Sequence, residues 1–133
     1  MIVTCNGCFD KLHMGHLFFL GYCLAQGDEL IVGINSDAYI CQHKRNPPFR
    51  NETQRTQDLM DLGFIKQVMV FKEDTPINFI KTIKPDVHCN GEEYNNSNCV
   101  ERSICAQLNT KLIFIPRIGN WATRNYANHT IFD

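Results

Sequence analysis

The sequence predicts an α/β protein built on an open, five-stranded parallel sheet with helices on both faces. Short apolar runs alternate with segments of helical periodicity along the chain. Within Glu29–Ile34, the residues after the glutamate form a continuous apolar run, which is typical of a parallel strand buried on both faces. Helix-start signals precede two of the helical segments, with a capping box from Asn51 to Gln54 and a Thr75-Pro76 pair.

The predicted elements alternate in the order βαβαβαβαβ, and a last helix follows. Strands are expected at Ile2–Cys5, Glu29–Ile34, Lys66–Phe71, Pro85–Asn90 and Lys111–Ile115. Helices are expected from the His13–His16 segment to Ala25, from Asn51 to about Leu62, after Thr75-Pro76, at Cys99–Leu108, and from Thr123 to about His129. In the helix after Thr75-Pro76, we expect Ile77, Ile80 and Ile83 to form the buried face.

The segment 38–50 contains Pro47-Pro48 and lacks clean periodicity, so we expect a loop with at most one short helical turn. Right-handed crossovers turn this element order into a Rossmann-like domain. Ligands of such sheets bind beyond the carboxyl ends of the strands, where the loops 6–16, 90–96 and 116–123 can meet.

Length and composition limit the class of protein further. The 133 residues suffice for one domain, here taken as 1–133, and 44% hydrophobic with 20% charged residues are typical of a globular protein. The net charge of −1 gives no basic excess for nucleic acid. No apolar run approaches the ~20 residues of a membrane span, and we see no signal peptide. Seven cysteines, several within apolar runs, indicate reduced thiols in a cytoplasmic protein.

The segment after the first predicted strand combines a glycine turn with two histidines. Gly7 to His16 reads Gly-Cys-Phe-Asp-Lys-Leu-His-Met-Gly-His and leads into the helical segment that starts at Leu17. The first turn of a helix carries unpaired amide donors and the positive end of the helix dipole, so it suits a phosphate. His13 and His16 share one face of this turn and can donate hydrogen bonds to the same phosphate.

This segment resembles the G-x-F-D-x-x-H-x-G-H signature of the cytidylyltransferase-like nucleotidyltransferases. The resemblance extends over about residues 1 to 126. The stretches 30–37, 71–76 and 84–87 are most similar to the heptose-phosphate adenylyltransferase branch, and slightly less so to the glycerol-3-phosphate cytidylyltransferases. Both branches transfer a nucleotidyl group from ATP or CTP to a phosphorylated sugar or polyol, release pyrophosphate and use Mg²⁺, and relatives with this fold are often homodimers.

The resemblance also implies roles for individual residues. The implied catalytic residues, which neutralise phosphate charge, are His13, His16, Lys44 and Arg117. The implied nucleotide-binding residues are Gly7, Cys8, Phe9, His13, Gly15, His16, Gly91, Glu93, Arg117, Gly119 and Thr123. On the acceptor side, Arg55 matches an arginine that faces the acceptor phosphate, and Asp10 is expected there to order its loop rather than act as a base.

Some positions depart from the family pattern. Glu93 stands where the family has an aspartate that accepts hydrogen bonds from nucleotide hydroxyls or exocyclic amines, and Asn90 replaces a lysine of the heptose branch. Arg117 matches an arginine of the glycerol-phosphate branch, whereas Ala122 and Arg124 replace a serine and a threonine. These departures leave open a homologue that binds a nucleotide without catalysis.

Two other classes of site fit the sequence less well. Cys5-x-x-Cys8 followed by His13-x-x-His16 has the residue types of a zinc site, but zinc-finger pairs are normally separated by about a dozen residues. A dinucleotide oxidoreductase is disfavoured because no G-x-G-x-x-G follows the first strand.

Overall fold

The computed structural model describes residues 1–44 and 46–117, and within them it contains the five predicted strands. The strands are β1 (Ile2–Gly7), β2 (Glu29–Asn35), β3 (Gln67–Phe71), β4 (Val87–Gly91) and β5 (Lys111–Ile115). They form one sheet in the order β3-β2-β1-β4-β5, and all neighbouring pairs are parallel. The predicted fold class is therefore confirmed.

Five α-helices connect these strands in the described part of the chain. They are α1 (Met14–Ala25), α2 (Asp37–Lys44), α3 (Glu52–Met60), α4 (Ile77–Ile83) and α5 (Glu101–Leu108), with a 3₁₀ turn at Glu92–Tyr94. The predicted helix at 123–129 lies outside the described residues. No helix among those described is long and apolar enough to cross a membrane.

Helix α2 corrects the prediction of a loop over 38–50. The Ser36 hydroxyl accepts a hydrogen bond from the Tyr39 amide at 3.1 Å and starts the helix. Ile40 is the only buried residue of α2. A two-turn helix with a single buried position produces no apolar periodicity, and the sequence pattern therefore missed it.

The helices cover both faces of the sheet and create two separate cores. One core contains Leu20 and Cys23 of α1 and Leu59 of α3, packed against alternate residues of the strands. The other contains Phe79 and Ile80 of α4 with neighbours from β2, β3 and α5. Each strand of the pair β1–β2 sends alternate side chains into the two cores, as the two-residue period of a strand requires.

The order of the strands fixes the position of the site. β1 and β4 are hydrogen-bonded neighbours, and the chain order runs outward from them in opposite directions. Such a reversal opens a crevice at the carboxyl ends of the two central strands. The loops that follow β1 and β4 border this crevice.

Candidate active site

An open cleft of about 1380 Å³ lies at the carboxyl edge of the sheet. The sequence-predicted site residues that line it are Gly7, Cys8, Phe9, Asp10, His13, Gly15, His16, Lys44, Gly91, Glu93 and Arg117. Gly119 and Thr123 lie outside the described residues, as do Ala122 and Arg124. The fold thus brings loops from four separate parts of the sequence to one cavity.

His13 and His16 form a reciprocal capping box at the start of α1. His13 is the N-cap residue, and its Nδ1 accepts a hydrogen bond from the Gly15 amide at 3.1 Å. In return, the His13 amide donates to Nδ1 of His16 at 3.2 Å. The two rings stack with centroids 3.9 Å apart. Both imidazoles are therefore held in fixed positions at the positive end of the helix dipole.

The capping bonds also determine the tautomer of the two rings. A nitrogen that accepts a backbone N–H carries no proton, so in each neutral ring the proton is on Nε2. Burial and then the neighbouring Arg117 guanidinium lower the pKa of His13. Burial, followed by the proximity of His13, lowers the pKa of His16 to about 3. Near neutral pH the pair therefore consists of two uncharged Nε2–H donors.

The loop between β1 and α1 has an unusual backbone. Phe9 and Lys11 adopt left-handed conformations, with φ angles of 50° and 53°. The Phe9 ring folds back over Gly7, where an added Cβ would lie 3.0 Å from the ring. The same ring packs against His16 with centroids 5.4 Å apart. The glycine is thus required by close packing, and Phe9 helps to orient the second histidine.

Asp10 connects this loop to the segment that precedes α3. Its carboxylate accepts hydrogen bonds from the amides of Phe49 at 2.8 Å and Arg50 at 3.0 Å. Lys11 lies over the Phe49 ring, with its ammonium 4.6 Å from the centroid. The arrangement agrees with the expectation that Asp10 orders the loop. A contact between Asp10 and the acceptor stays a prediction.

Arg55 occupies a different place from the one that was expected. Its side chain is fully buried and does not line the cleft. A direct contact with the acceptor phosphate would require the guanidinium to lie in the cleft. Its Nη1 donates to the carbonyl oxygens of Cys8 at 2.9 Å and Asn35 at 2.8 Å. Its Nη2 donates to Asp37 at 2.8 Å, and its Nε donates to the Arg50 carbonyl at 3.0 Å. In this structure, Arg55 holds the cleft loops together from behind.

Arg117 and Lys44 contribute positive charge from two sides of the cleft. The Arg117 guanidinium is close enough to His13 to lower its pKa. The Arg117 amide donates to the Glu92 carboxylate at 3.1 Å, which joins the segment after β5 to the loop after β4. Lys44 is the last residue of α2 and is exposed. Two cations and two neutral donors therefore face the same space.

Glu101, at the start of α5, lines the cleft but is not among the residues predicted from the sequence. Its side chain is only 7% exposed. An acidic residue in the first turn of a helix is common for reasons of the helix dipole alone, so the sequence gives no signal that separates this residue from an ordinary helix start.

The four residues considered for zinc do not converge. Cys5 lies in the core beside Cys23, where burial raises the pKa of the Cys23 thiol, and Nδ1 of each histidine is engaged with the backbone. Among the residues that the structure describes, no group of three or more His, Cys, Asp or Glu side chains is placed to hold a metal ion.

Sequence comparisons with known proteins agree with the family resemblance of the motif after β1. The profile of the family described as cytidylyltransferase-like matches residues 4–116. The bifunctional protein HldE of Campylobacter concisus is 41% identical over 108 residues, which are 80% of this chain and 23% of that protein. HldE of Helicobacter pylori (strain ATCC 700392 / 26695) is 44% identical over 100 residues, which are 74% of this chain and 22% of that protein. The chain thus spans about a quarter of the length of these relatives.

Solved structures support the same fold. A lipopolysaccharide core biosynthesis protein from Thermoplasma volcanium superposes with a TM-score of 0.76 at 23% identity, covering 89% of this chain and 98% of that one. A pantoate-beta-alanine ligase from Francisella tularensis superposes with a TM-score of 0.64 at 16% identity, and the superposition covers 97% of this chain and 66% of that one. At these identities, the likeness concerns the fold alone.

Proposed function

Since the chain belongs to the cytidylyltransferase-like family, we propose that it is a nucleotidyltransferase that moves a nucleoside monophosphate from ATP or CTP to a phosphorylated sugar or polyol. Its HldE relatives favour a reaction of the heptose-1-phosphate adenylyltransferase type. Because the chain spans only about a quarter of those relatives, the proposal concerns nucleotidyl transfer alone.

The histidine pair at the start of α1 carries this proposal. Two fixed Nε2–H donors lie at the switch point of a parallel sheet and at the positive end of a helix, on stacked rings whose centroids are 3.9 Å apart. Neutral donors that already have the correct orientation need no reorganisation when charge develops on phosphate oxygens. This arrangement fits a triphosphate better than it fits a hydride acceptor or a nucleophile.

The proposed reaction is a direct displacement. An oxygen of the acceptor phosphate attacks the α-phosphorus, a new P–O bond forms, and the bond to the β-phosphate breaks so that pyrophosphate leaves. The attacking oxygen is already an anion, so no protein nucleophile or strong base is required. His13 and His16 stabilise the α-phosphate and the departing phosphates, while Lys44 and Arg117 offset the charge of the leaving group.

The proposed metal is Mg²⁺, which enters with the triphosphate. No metal-binding cluster occurs among the described residues, and Mg²⁺ commonly stays bound to substrate phosphates and water rather than to a dedicated protein cage. The bound ion would neutralise phosphate charge. The residues described above supply the hydrogen bonds and the positioning.

The second candidate is a glycerol-3-phosphate-type cytidylyltransferase. Arg117, which matches an arginine of that branch, favours it, and this residue lies in the cleft. A third candidate binds a nucleotide without transferring it. Ala122 and Glu93 motivate that alternative, since both depart from the family pattern.

Calorimetric titration with ATP and with CTP, each with Mg²⁺, is the first test. A preference for ATP supports the heptose branch, and a preference for CTP supports the glycerol-phosphate branch. Pyrophosphate release is then measured with heptose 1-phosphate or glycerol 3-phosphate as acceptor. Binding without pyrophosphate release would favour the non-catalytic alternative, and no binding of either nucleotide would contradict the proposed function.

A further inference from the structure

We propose that the buried carboxylate of Glu101 reads the nucleobase, by accepting a hydrogen bond from an exocyclic amino group. This inference rests on the proposed function, because it assigns a base-reading residue to the proposed nucleotide site. It would make the cleft selective for adenine over hypoxanthine and for cytosine over uracil.

The described surroundings of Glu101 leave part of the hydrogen-bonding capacity of its carboxylate unused at the edge of the cleft. The residue lines the cleft although it is 93% buried, as its 7% exposure indicates. In the described part of the chain, its carboxylate accepts one hydrogen bond, from the Cys99 thiol at 3.2 Å, and forms no ion pair. A thiol is a weak donor, and a carboxylate can accept up to about four hydrogen bonds. The described residues therefore leave most of the acceptor capacity of this carboxylate unused, and a ligand donor in the cleft could use it.

Charge decides which part of a nucleotide this carboxylate can meet. An anion repels the triphosphate, which is expected at the histidines after β1. Glu101 instead follows β4, the neighbouring strand, on the other side of the crevice. A nucleotide whose phosphates lie at His13 and His16 can therefore place its nucleoside towards Glu101.

The adjoining side chains favour a base over a sugar hydroxyl. Tyr94 and Val100 also line the cleft, with 58% and 45% of their surfaces exposed. An aromatic ring and an aliphatic side chain offer flat apolar surface of the kind on which a base stacks. Asn90 lies beside this region, and its Nδ2 is 3.9 Å from the Cys99 sulfur. An amide and a carboxylate together can pair with the donor and acceptor groups on the edge of a base.

Glu93 fits this role less well, although it occupies the position at which the family has an acidic residue. Its carboxylate folds back over Gly91, so an added Cβ there would lie 2.5 Å from Oε2. The residue is exposed, and water can therefore satisfy its carboxylate. The buried acid is the one that gains from a ligand donor.

Two matched nucleotide pairs test the assignment. In ITP, the amino group of adenine is replaced by a carbonyl and the adjacent N1 carries a hydrogen. UTP differs from CTP in the same way, at C4 and N3 of the pyrimidine. A hydrogen bond to a charged group corresponds to a ratio of dissociation constants of about 10- to 100-fold. We expect the amino form of whichever base binds to be favoured by this ratio, measured by calorimetry on the full chain with Mg²⁺.

Glu101→Gln should bring the ratio close to one, because an amide can donate to the carbonyl of ITP or UTP as well as accept. Glu73→Gln, at an exposed residue outside this cleft, is the matched control and should preserve the ratio. Circular dichroism verifies that both variants fold. A wild-type ratio near one overturns the inference even if the Glu101 variant does not fold.

Other outcomes separate the inference from the proposed function. An unchanged ratio in Glu101→Gln overturns the inference alone. So does a loss of affinity in that variant that disappears with 2′-deoxy nucleotides, since this would place the carboxylate at the ribose. If none of the four nucleotides binds to the wild-type protein, the proposed function fails and the inference fails with it.

Discussion

Arg55 donates a 2.9 Å hydrogen bond from Nη1 to the carbonyl oxygen of Cys8, in the loop between β1 and α1. The same Nη1 donates to the carbonyl of Asn35 at the end of β2. Phe9, which follows Cys8, has a φ angle of 50°. A left-handed conformation at a bulky residue is unfavourable and persists only where its surroundings hold it. One buried guanidinium thus connects the ends of two strands and supports the loop that leads to the histidines.

Replacing Arg55 by methionine should destabilise the protein by about 3–5 kcal/mol, as breaking a buried charged pair does. The substitution leaves Asp37 and three backbone carbonyls without their donor. Urea unfolding followed by circular dichroism measures the free energy of unfolding. Lys81→Met, at an exposed position of α4, is the control and should change it by less than about 0.5 kcal/mol. Equal stability of the two variants would contradict the structural role of Arg55.

Substitution of the histidines can separate capping from catalysis. Asparagine is a good N-cap residue, and glutamine at the third helical position completes a capping box, so His13→Asn and His16→Gln preserve the start of α1. Both remove an imidazole donor, and each should lower the rate of pyrophosphate release by about 10²- to 10³-fold. Thermal unfolding should change little. A variant with an undiminished rate would show that the transferring phosphates lie elsewhere.

Stability should fall as the pH decreases below about 6.5, where unfolded histidines take up protons. Burial lowers the pKa of His88 to about 3, so the folded protein does not bind that proton until much lower pH. The unfolded state binds more protons between these values, and each such histidine contributes a slope of up to about 1.4 kcal/mol per pH unit. His16, with its pKa lowered to about 3, acts in the same direction.

The variant His88→Gln should therefore have a shallower dependence of unfolding free energy on pH between about 4 and 6, by roughly one proton. Thr4 is hydrogen-bonded to Nδ1 of His88 at 2.7 Å. Thr4→Val is the control, because it removes this bond but leaves the imidazole buried. It should lower stability and retain the slope. An identical slope for the wild type and His88→Gln would refute the assignment.

Two glycines should respond to alanine with opposite signs. An added Cβ at Gly33 would lie 2.9 Å from the ring of Phe79, so Gly33→Ala should cost about 1–3 kcal/mol through overpacking. Gly21 lies within α1 with nothing within 4 Å of an added Cβ, so Gly21→Ala should add about 0.5–1 kcal/mol through helix propensity. In the Gly33→Ala background, Phe79→Leu should recover part of the lost stability. Urea unfolding of the wild type, the two glycine variants and this double variant measures the free energies of unfolding.

The strands and most of the helices follow from local patterns in the sequence. Strand β5 has the predicted bounds, and Asn51 and Gln54 form the predicted capping box, with bonds of 2.8 and 2.9 Å. These features depend on residues within a few positions of each other, and a local pattern records them directly. Helix α2 was missed because a single buried residue leaves no such pattern.

The sequence by itself determined the parallel α/β sheet, the motif after β1 and the pairing of His13 with His16. Tertiary structure alone decided that Arg55 is buried, although its position in α3 is compatible with an exposed helix face. Its acceptors at Cys8 and Asn35 are 47 and 20 residues away in the chain. The same holds for Glu101, whose burial depends on how the start of α5 packs beside the cleft. Burial of a polar side chain depends on its distant neighbours, and no local periodicity encodes them.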